Sequence, residues 1–436
     1  MKRVIYPDYL GRSGWNAMLP PRQPNGAAQG RLAVRYAVIG AGVTGLAAAR
    51  RLAELAPNSQ VALIDAKVVE ESASGRNSGF IGSGLPAVGH GKAADAAAAL
   101  EKQDIAAKID QEGLAWLKEL SERHGFECGL TRIGSFKAAA TDRGLEMLRG
   151  VSAAAAAQGR ILPILSENEV FARTGMRFYK GAIFSDNTHL IQPAALVRGL
   201  AGSLPGNVTL YENTRIDGLE KVGADWILSG DGLRIAARSV VLASNASTKS
   251  FGLLNDRLAT LYTYVGITPK LSDPAVLGSD ERWGMTSAQR AGGSTLRKLA
   301  DNRFMIRSLY TYERELRNDR VRELLLEKFH RRYPQLVGVD FEYVWGGFTD
   351  MTRNGKPFWG RLDDNLYVSA GYNGSGVAKG TALGRRLAEL VLAPGREHEM
   401  TTAIGRASWM PPEPFRKIGL SAIVKYEEHQ AGRDAL

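Results

Sequence analysis

The strongest constraint on how this chain folds is a glycine-rich turn between an apolar strand and a helix of small residues. Residues 36–46 read YAVIGAGVTGL, which places Gly40, Gly42 and Gly45 in a GxGxxG pattern. In such a unit the first glycine allows the tight turn, the second lets a pyrophosphate approach the backbone, and the third lets helix and strand pack closely. The next strand ends on Asp65, twenty positions beyond Gly45 (65 − 45 = 20), where a carboxylate would accept hydrogen bonds from ribose hydroxyls. The pattern predicts a Rossmann-type βαβ unit that binds an ADP-containing cofactor.

Length and charge narrow the class of protein. A chain of 436 residues is longer than one hydrophobic core usually serves, so two domains are expected. The formal net charge is +11, but the Lys and Arg residues are scattered and no nucleic-acid-binding motif accompanies them. We therefore expect no nucleic-acid partner, while a positive field favours an anionic cofactor or an acidic substrate.

Cysteine content and hydropathy predict a location in a reducing compartment. Cys128 is the single cysteine, which excludes a disulfide framework and a multi-cysteine metal site. The N-terminus lacks the apolar core of a signal peptide, and charges interrupt every hydrophobic stretch before about eighteen residues. We expect a cytoplasmic protein with no transmembrane segment and no metal.

Apolar periodicity and turn residues predict the order of elements. An N-terminal arm without periodicity spans residues 1–31, and the βαβ unit follows at 32–66. Helices are expected at 46–55, 93–124, 145–158, 193–204 and 321–333, and strands at 129–140 (as a pair), 208–214, 226–229, 234–237, 240–243 and 366–370. The pattern of residues 261–312 predicts alternating strands rich in Tyr and Trp.

A second glycine-rich segment, SASGRNSGFIGSG, covers residues 72–84 directly after the acidic strand end. Its composition fits neither a core helix nor a core strand, so it is either a flexible surface loop or a backbone moulded around a ligand. Its position favours the ligand: free N–H groups at Gly79 to Gly82 would face the polar edge of a cofactor ring. Arg76 and Asn77 would reach phosphate or ribose.

A third glycine-rich segment, GYNGSGV, covers residues 371–377 and opens a helix that is expected to reach Leu392. The pattern of strand, glycine loop and helix start thus returns some 330 residues after the first (371 − 40 = 331). Parts of the chain that are far apart are therefore expected to build one cofactor site.

The ordered set GAGVTG, Asp65, SASGRNSG and GYNGSGV resembles the D-amino-acid-oxidase-type family of FAD-dependent oxidoreductases, from about Ala33 to Leu392. That family includes sarcosine and glycine oxidases, and the early arm and second loop are most similar to its γ-glutamylputrescine oxidase branch. The resemblance implies an α/β fold in which a Rossmann-type FAD-binding domain is interleaved with a substrate domain built on a mostly antiparallel sheet with helices. The FAD domain would take residues 32–90, 185–250 and 345–436, and the substrate domain 91–184 and 251–344.

The resemblance also assigns roles along the cofactor. The first motif would hold the pyrophosphate, Asp65 the adenosine ribose, a strand at 214–216 the adenine, the second loop the flavin, and the third loop its pyrimidine end. The implied cofactor-binding residues are Gly40, Ala41, Gly42, Val43, Thr44, Gly45, Asp65, Ala66, Ser74, Gly75, Arg76, Asn77, Ser78, Gly79, Ile81, Ile216, Ala243, Ser244, Asn245, Gly346, Gly371, Asn373, Gly374, Ser375, Gly376 and Val377.

The way in which the flavin is attached follows from a departure from some relatives, which bond it to a cysteine or a histidine. Cys128 lies outside both loops, and His90 comes after the second loop. The sequence therefore predicts non-covalent FAD.

A segment at 346–357, GGFTDMTRNGKP, resembles the family's G-x-TxDxxP stretch before the last strand. Its turn residues at Asn354 and Gly355 are also explained by a simple β-turn. As part of the flavin pocket wall, it would offer Lys356 as its cation, although most lysines beside a turn are solvated.

Substrate contacts are less patterned. Tyr264 and Trp283 would form an aromatic cage for an amine or the outer layer of a sheet. Arg307 alternates with apolar residues, so it would point inward and bind a carboxylate, or pair with a structural glutamate. Tyr372, in the third loop, is a further candidate, whereas His189 is expected to be a hydrogen-bonded structural histidine.

These features predict an FAD-dependent oxidase or dehydrogenase of an amine or amino acid. Hydride would pass from the carbon next to nitrogen to flavin N5, and the imine would hydrolyse, so no catalytic acid or base is required. The alternatives are another flavoprotein, a hydroxylase or reductase, or a flavin-binding subunit without catalysis. The electron acceptor, oxygen or a quinone-type carrier, stays open.

Overall fold

The computed structural model describes residues 8–82, 93–288, 293–397 and 404–435. The predictions for His90, for residues 83–84 of the second loop and for residues 1–7 of the arm lie outside these ranges.

The described elements are numbered in chain order. The strands are β1 Gly30–Ile39, β2 Val61–Ile64, β3 Phe80–Ile81, β4 Thr131–Arg132, β5 Ser135–Ala139, β6 Ile164–Ser166, β7 Gly181–Ser185, β8 His189–Leu190, β9 Val208–Tyr211, β10 Gly218–Val222, β11 Asp225–Gly230, β12 Leu233–Leu242, β13 Ala259–Ile267, β14 Trp283–Ser287, β15 Thr295–Lys298, β16 Phe304–Tyr312, β17 Tyr343–Met351, β18 Phe358–Asp363 and β19 Leu366–Ala370. The α-helices are α1 Gly14–Ala17, α2 Val43–Leu55, α3 Ala73–Arg76, α4 Ala93–His124, α5 Asp142–Ala156, α6 Glu167–Thr174, α7 Pro193–Gly202, α8 Asn318–Arg332, α9 Gly376–Leu392 and α10 Phe415–Ala431. Short 3-10 turns occupy Val69–Glu71, Asn245–Phe251, Pro274–Leu277, Pro334–Leu336, Pro394–Arg396 and Gly432–Ala435.

The first sheet is the Rossmann-type layer. Its order is β10-β11-β12-β1-β2-β9. In addition, β19 pairs with the end of β12 and with β18. The strands β19, β12, β1, β2 and β9 are parallel, so their carboxyl ends lie at one edge. Tyr36 to Ile39 are buried in succession, as a strand covered on both faces requires. Glycine-rich turns follow β1 and β19 at that edge.

The second sheet is mostly antiparallel, as predicted. Its order is β17-β13-β16-β15-β14-β5-β7-β6, and the one parallel pairing within it joins β14 to β5. β17 belongs to this sheet, although the predicted boundary at residue 345 assigned most of it to the FAD domain. β3, β8 and β4 form a separate small sheet, in the order β3-β8-β4.

Close helix packing holds the third loop against the first. α2 and α9 pack together, and a Cβ at Gly384 would lie 2.3 Å from the carbonyl oxygen of Thr44. The small residues of both helices therefore let their backbones approach. None of the helices in the described ranges carries an apolar stretch that could span a bilayer.

Several predicted elements differ from the structure. Residues 131–132 and 135–139 are strands but do not pair with each other: β4 pairs with β8, and β5 with β7 and β14. The two strands expected at 234–243 are one strand, β12, because β1 pairs along its whole length. Thr214–Ile216 is not a strand, since Asn213 adopts a left-handed conformation (φ 50°) and ends the extended run.

The described part of the N-terminal arm, residues 8–29, lies over the body of the protein. Trp15 is 1% exposed, and its Nε1 donates to the carbonyl of Asn77 over 2.7 Å. Arg22 is hydrogen bonded to both Glu70 and Glu212, which follow β2 and β9. The arm is therefore fixed to the segments beside the nucleotide fingerprint.

Candidate functional site

The first glycine loop is built by contacts that leave no room for side chains. Gly40 has φ +101°, and a Cβ there would lie 2.8 Å from the carbonyl oxygen of Ala243. A Cβ at Gly45 would lie 1.7 Å from the carbonyl oxygen of Gly40. The turn thus delivers the chain into α2 with its N-terminal N–H groups at the carboxyl edge of the sheet, where an anion is favoured.

Asp65 lies directly beside this loop. Its Oδ2 accepts the N–H of Ala41 over 2.7 Å, and its Oδ1 accepts the N–H of Lys67 over 3.0 Å. Desolvation is the largest effect on the carboxyl group and raises its pKa to about 6, against these two donors, which lower it. The exposed Ala66 follows. The carboxylate lies where the sequence places a ribose ligand, and that role stays a prediction.

The second loop touches the first and also closes on itself. The Ser74 hydroxyl accepts the N–H of Val43 over 3.0 Å, and the Asn77 amide donates to the Ser74 carbonyl over 2.6 Å. The expectation of free N–H groups from Gly79 onward needs correction. Gly79 donates to Asn77 Oδ1 over 2.8 Å, and β3 pairs with β8 through Phe80 and Ile81.

Arg76 has a different role from the predicted one. Its side chain is 1% exposed; it pairs with Glu71, and its Nε donates to the carbonyl of Gly346 over 2.9 Å. Its Nη2 donates to the carbonyl of Gly11 over 2.8 Å. The guanidinium therefore joins the arm, the second loop and β17, and only the backbone of Arg76 is left for a cofactor.

The third loop contacts the segment after β12 in the first sheet and the end of β17 in the second. The N–H of Gly371 donates to Asn245 Oδ1 over 2.9 Å, and the N–H of Asn373 donates to the carbonyl of Asp350 over 3.1 Å. Asn373 Oδ1 in turn accepts the N–H of Thr352 over 2.8 Å. Gly374 has φ +83° and would meet nothing within 4 Å if it carried a Cβ. The loop is thus anchored at Gly371 and Asn373 and open at Gly374.

These contacts bring most of the predicted cofactor residues together. Ala243 and Asn245 meet the first and third loops, and Ser74 meets the first. Ile216 lies with its side chain in the core of the first sheet, so a role for its backbone stays a prediction. Because glycines have no side chains, the backbone of these loops is accessible beside a helix N-terminus and an acidic strand end. This arrangement fits a bound dinucleotide.

One face of the second sheet covers the second loop. Trp345, Val265, Arg307 and Thr295 lie directly opposite one another across β17, β13, β16 and β15, so their side chains share a face. Trp345 Nε1 donates to the carbonyl of Arg76 over 3.0 Å, which identifies this as the face toward the loop. This face of the second sheet is therefore the one turned toward the second loop, the segment predicted to line the flavin.

Arg307 is the predicted substrate residue that lies on this face. Its guanidinium donates to the hydroxyls of Thr263 (3.4 Å), Thr295 (2.7 Å) and Tyr310. In the described chain it forms no ion pair with a carboxylate, so the predicted alternative of a structural glutamate is not what the structure has. A positive charge whose partners, within the described ranges, are all hydroxyls is suited to an incoming carboxylate.

Tyr264, Trp283 and Tyr372 are buried and hydrogen bonded within the protein, and their roles toward a substrate stay predictions. Tyr264 is opposite Gly346 on the other face, is 0% exposed, and its hydroxyl accepts the N–H of Leu316 over 2.7 Å. Trp283 is buried in the core and donates to the carbonyl of Leu277. The Tyr372 hydroxyl is 2.8 Å from Ser369 Oγ and 3.0 Å from Thr44 Oγ1, and burial raises its pKa to about 12.

His189 and Lys356 lie outside this face. His189 is 6% exposed, and neither of its ring nitrogens has a hydrogen-bond partner within the described ranges, contrary to the prediction of a hydrogen-bonded histidine. Burial lowers its pKa to about 4. Lys356 is exposed beside the turn at Asn354, as expected of a solvated lysine.

Arg297 is a site residue that the sequence reasoning missed. It lies on the same face two residues from Thr295, is 7% exposed, and donates to the carbonyls of Ile191 (2.7 Å) and Ser78 (3.2 Å). Burial lowers its pKa to about 9. The sequence does contain a pattern that would have identified Arg297. It follows a buried leucine in a short strand, just as Arg307 follows an isoleucine.

Comparisons with known proteins agree with this geometry. The family model described as FAD dependent oxidoreductase matches residues 35–390. The chain is 27% identical over 361 residues to the γ-glutamylputrescine oxidoreductase of Escherichia coli K12, with 81% of this chain and 82% of the relative covered. It is 26% identical to the probable oxidoreductase OrdL of Rhizobium meliloti, with 89% and 90% covered. The crystal structure of glycine oxidase from Geobacillus kaustophilus has the same fold, with a TM-score of 0.69, 20% identity, and 83% and 95% covered.

Proposed function

This chain belongs to the FAD-dependent oxidoreductase family, and we propose that it oxidises the C–N bond of an amine that also carries a carboxylate. The sequence predictions of the family, of FAD as cofactor and of a fold with two sheets are confirmed. Non-covalent binding of the flavin is typical of this family. The observation that carries the substrate class is the position of Arg307, a cation on the face that covers the second loop, whose hydrogen bonds to the described residues all go to hydroxyls.

The cofactor would be held by the carboxyl edge of the first sheet. The N-terminus of α2 and the first loop would bind the pyrophosphate, and Asp65 the ribose. The second and third loops would hold the flavin end. When bound, FAD supplies the acceptor for the hydride that leaves the carbon next to the amine nitrogen.

The residues of the second sheet would bind and orient the substrate. Arg307 would receive the carboxylate through two N–H donors, with Thr295 and Tyr310 completing the polar surround. Fixing one end of the substrate orients the C–H bond and lowers the entropy cost of reaction. The amine would react as the free base, and the imine product would hydrolyse in water to a carbonyl compound.

The relatives support this substrate class without defining one substrate. The E. coli relative is named for γ-glutamylputrescine, a molecule that has both an amine and a carboxylate.

Anaerobic titration of the FAD-loaded protein tests the proposal. Polyamines, γ-glutamylated amines, N-methyl amino acids, and D- and L-amino acids are added in turn, and flavin bleaching is followed by absorbance. We expect at least one carboxylate-bearing amine to bleach the flavin. If none of these classes does so while dithionite does, amine oxidation is rejected in favour of another flavoprotein reaction or a non-catalytic role.

A second measurement identifies the electron acceptor. The reduced protein is mixed with oxygen or with a soluble quinone, and the return of flavin absorbance is timed. We propose that the electron acceptor is either oxygen or a quinone-type carrier. Formation of peroxide would identify oxygen.

A further inference from the structure

Three successive carbonyls of the second loop accept hydrogen bonds from buried side chains. The donors come from the N-terminal arm, from β15 and from β17, which are far apart in the chain. The bonds run from Trp345 Nε1 to the carbonyl of Arg76 (3.0 Å), from Trp15 Nε1 to that of Asn77 (2.7 Å) and from Arg297 Nη1 to that of Ser78 (3.2 Å). Both tryptophans are 1% exposed and the arginine is 7% exposed, so little water competes for these carbonyls. Each bond therefore fixes the orientation of one peptide group of the loop.

The three donors form one continuous layer against the second loop. The ring of Trp15 lies 6.0 Å from the ring of Trp345, and the guanidinium of Arg297 lies 5.2 Å from the centre of the Trp15 ring. The loop contacts the first loop through a different residue, since the Ser74 hydroxyl accepts the N–H of Val43 over 3.0 Å. The second loop is thus held between this layer and the turn predicted to bind the pyrophosphate.

Trp15 is itself fixed in place. Gln192 Nε2 donates to its carbonyl over 2.6 Å, and the hydroxyl of Ser13 accepts the N–H of Asn16 over 3.1 Å at the start of α1. A Cβ at Gly14 would lie 2.6 Å from the ring of Trp345, so α1 packs closely on β17. The arm therefore presents the Nε1–H of Trp15 at a defined position beside the loop.

The peptide group between Asn77 and Ser78 has one free end. In a trans peptide the carbonyl and the N–H point in opposite directions, so the N–H of Ser78 points away from Trp15. It has no hydrogen-bond partner among the described residues, whereas the N–H of Gly79 donates to Asn77 Oδ1 over 2.8 Å. A free donor on the side of the loop away from the buried layer is available to a bound cofactor.

We propose that Trp15 is a positioning residue for the flavin: by holding the carbonyl of Asn77, it directs the N–H of Ser78 toward the flavin ring. The proposal depends on FAD binding, which follows from the family, and not on the amine substrate proposed above. Reduction by a hydride adds negative charge to the ring system. An N–H that is fixed in advance stabilises such charge without reorganisation, so the arm acts on the reduction potential of the flavin.

The reduction potential of the bound flavin tests the proposal without any substrate. Trp15→Phe keeps a buried ring and removes the Nε1–H that holds the carbonyl of Asn77. The FAD-loaded wild type and variant are reduced anaerobically in equilibrium with a dye of known potential, and the absorbances give the ratio of oxidised to reduced flavin. We expect the variant to lower the equilibrium constant for two-electron reduction by about threefold to tenfold, the range for one hydrogen bond, or about 15–30 mV. The visible absorbance bands of the oxidised flavin should shift as well.

Trp226→Phe is the matched control. Trp226 is 7% exposed in β11, and its Nε1 donates to the carbonyl of Asp364 over 2.9 Å, outside the three glycine-rich loops. This variant loses the same kind of hydrogen bond, so its unfolding free energy in urea should fall by a similar amount. Its flavin potential and absorbance bands should remain those of the wild type.

A Trp15→Phe protein that is destabilised but keeps the wild-type potential would overturn the proposal, because Trp15 would then only cover the loop. Equal shifts of the potential in Trp15→Phe and Trp226→Phe would overturn it too. If Trp15→Phe does not retain FAD, Trp345→Phe takes its place, since it frees the adjoining carbonyl of Arg76, and an unchanged potential in that variant is the contradicting result. No amine enters these measurements, so their outcome is separate from the success or failure of amine oxidation.

Discussion

At the scale of single residues, the first glycine loop is defined by distances that one methyl group would break. The positions that a Cβ would take at Gly40 and Gly45 lie within 2.8 Å of backbone atoms. Gly42 differs, because its Cβ would meet the hydroxyl of Ser74, 2.7 Å away, which joins the first and second loops. This makes Gly42 the position at which cofactor binding can be separated from folding.

We expect Gly42→Ala to weaken FAD binding by about tenfold to a hundredfold, since overpacking costs about 1–3 kcal/mol and displaces Ser74 from Val43. Fluorescence titration of the apoprotein with FAD measures the change. Gly206→Ala is the control, because a Cβ there meets nothing within 4 Å. Equal affinities for the two variants would contradict the placement of the pyrophosphate at this loop.

Asp350 predicts a pH dependence of stability. It is 0% exposed; burial raises its pKa to about 6, against opposing effects of Lys249 and Thr260. A raised pKa in the folded state means that the folded protein holds its proton longer than the unfolded chain. The stabilising contribution is therefore complete below about pH 4 and is lost as the pH rises through about 6.

Asp350→Asn should remove this loss. Relative to wild type, the variant should gain up to about 3 kcal/mol in unfolding free energy between pH 4 and pH 8. Urea denaturation of the apoprotein at both pH values gives the difference, and the exposed Asp231→Asn serves as control. A difference that does not change with pH would show that Asp350 is charged in the folded protein throughout.

Residue identities were predictable where a backbone rule requires them. Gly40, Gly42 and Gly45 follow from turn and approach geometry, which any sequence reading can apply. The destination of the Arg76 guanidinium was not predictable, because its partners Gly11 and Gly346 are 65 and 270 residues away. The face of β13 on which Tyr264 lies was not predictable either, because it depends on pairing with β16 and β17.

At the scale of elements, the described part of the N-terminal arm is fixed to the segments that follow β2 and β9 of the first sheet. Arg22 bonds Glu70 and Glu212, which are 3% and 0% exposed, and Glu212 also accepts the N–H of Val69 over 2.7 Å. The arm thus neutralises two buried carboxylates beside the segment that follows Asp65. Loss of this contact should therefore disturb the part of the site that is predicted to bind adenosine.

Arg22→Ala is expected to lower the unfolding free energy by about 2–4 kcal/mol, since it removes the cation paired with the buried Glu212, while Glu70 keeps its contact with Arg198. Thermal and urea denaturation measure the effect. Arg12→Ala is the matched control from the same arm: Arg12 is 54% exposed and 4.0 Å from Glu71, so its loss should cost less than about 1 kcal/mol. Similar effects of both variants would mean that the arm acts only as a cover.

Element prediction succeeded for long periodic segments and failed where pairing decides. α4 and β19 were predicted as they are found, with matching bounds. The break expected within β12 and the hairpin expected at 129–140 were wrong, because each depends on which distant strand is the neighbour. Local pattern indicates a strand but does not identify its partner.

At the scale of the whole molecule, the site is made where two sheets meet. The first sheet supplies the carboxyl edge with the first and third loops, and the second sheet supplies the face of Trp345, Arg307 and Thr295. The ordered motifs allowed the fold and the cofactor to be predicted from sequence. The face proposed to bind the substrate was only partly predicted, since sheet pairing places Arg307 on the same face as Arg297, which donates to Ser78 of the second loop.

The most direct measurement of the central claim is anaerobic flavin reduction by paired substrates, a reactive amine with its carboxylate and the same amine without it. Wild type should bind the carboxylate form about 10- to 100-fold more tightly, the range for hydrogen bonds to a charged group, and Arg307→Met should abolish that preference. The control Arg234→Met, at an exposed arginine of β12, should keep it. A wild-type protein whose flavin is reduced by neither form of any amine, or reduced equally by both, would contradict the account.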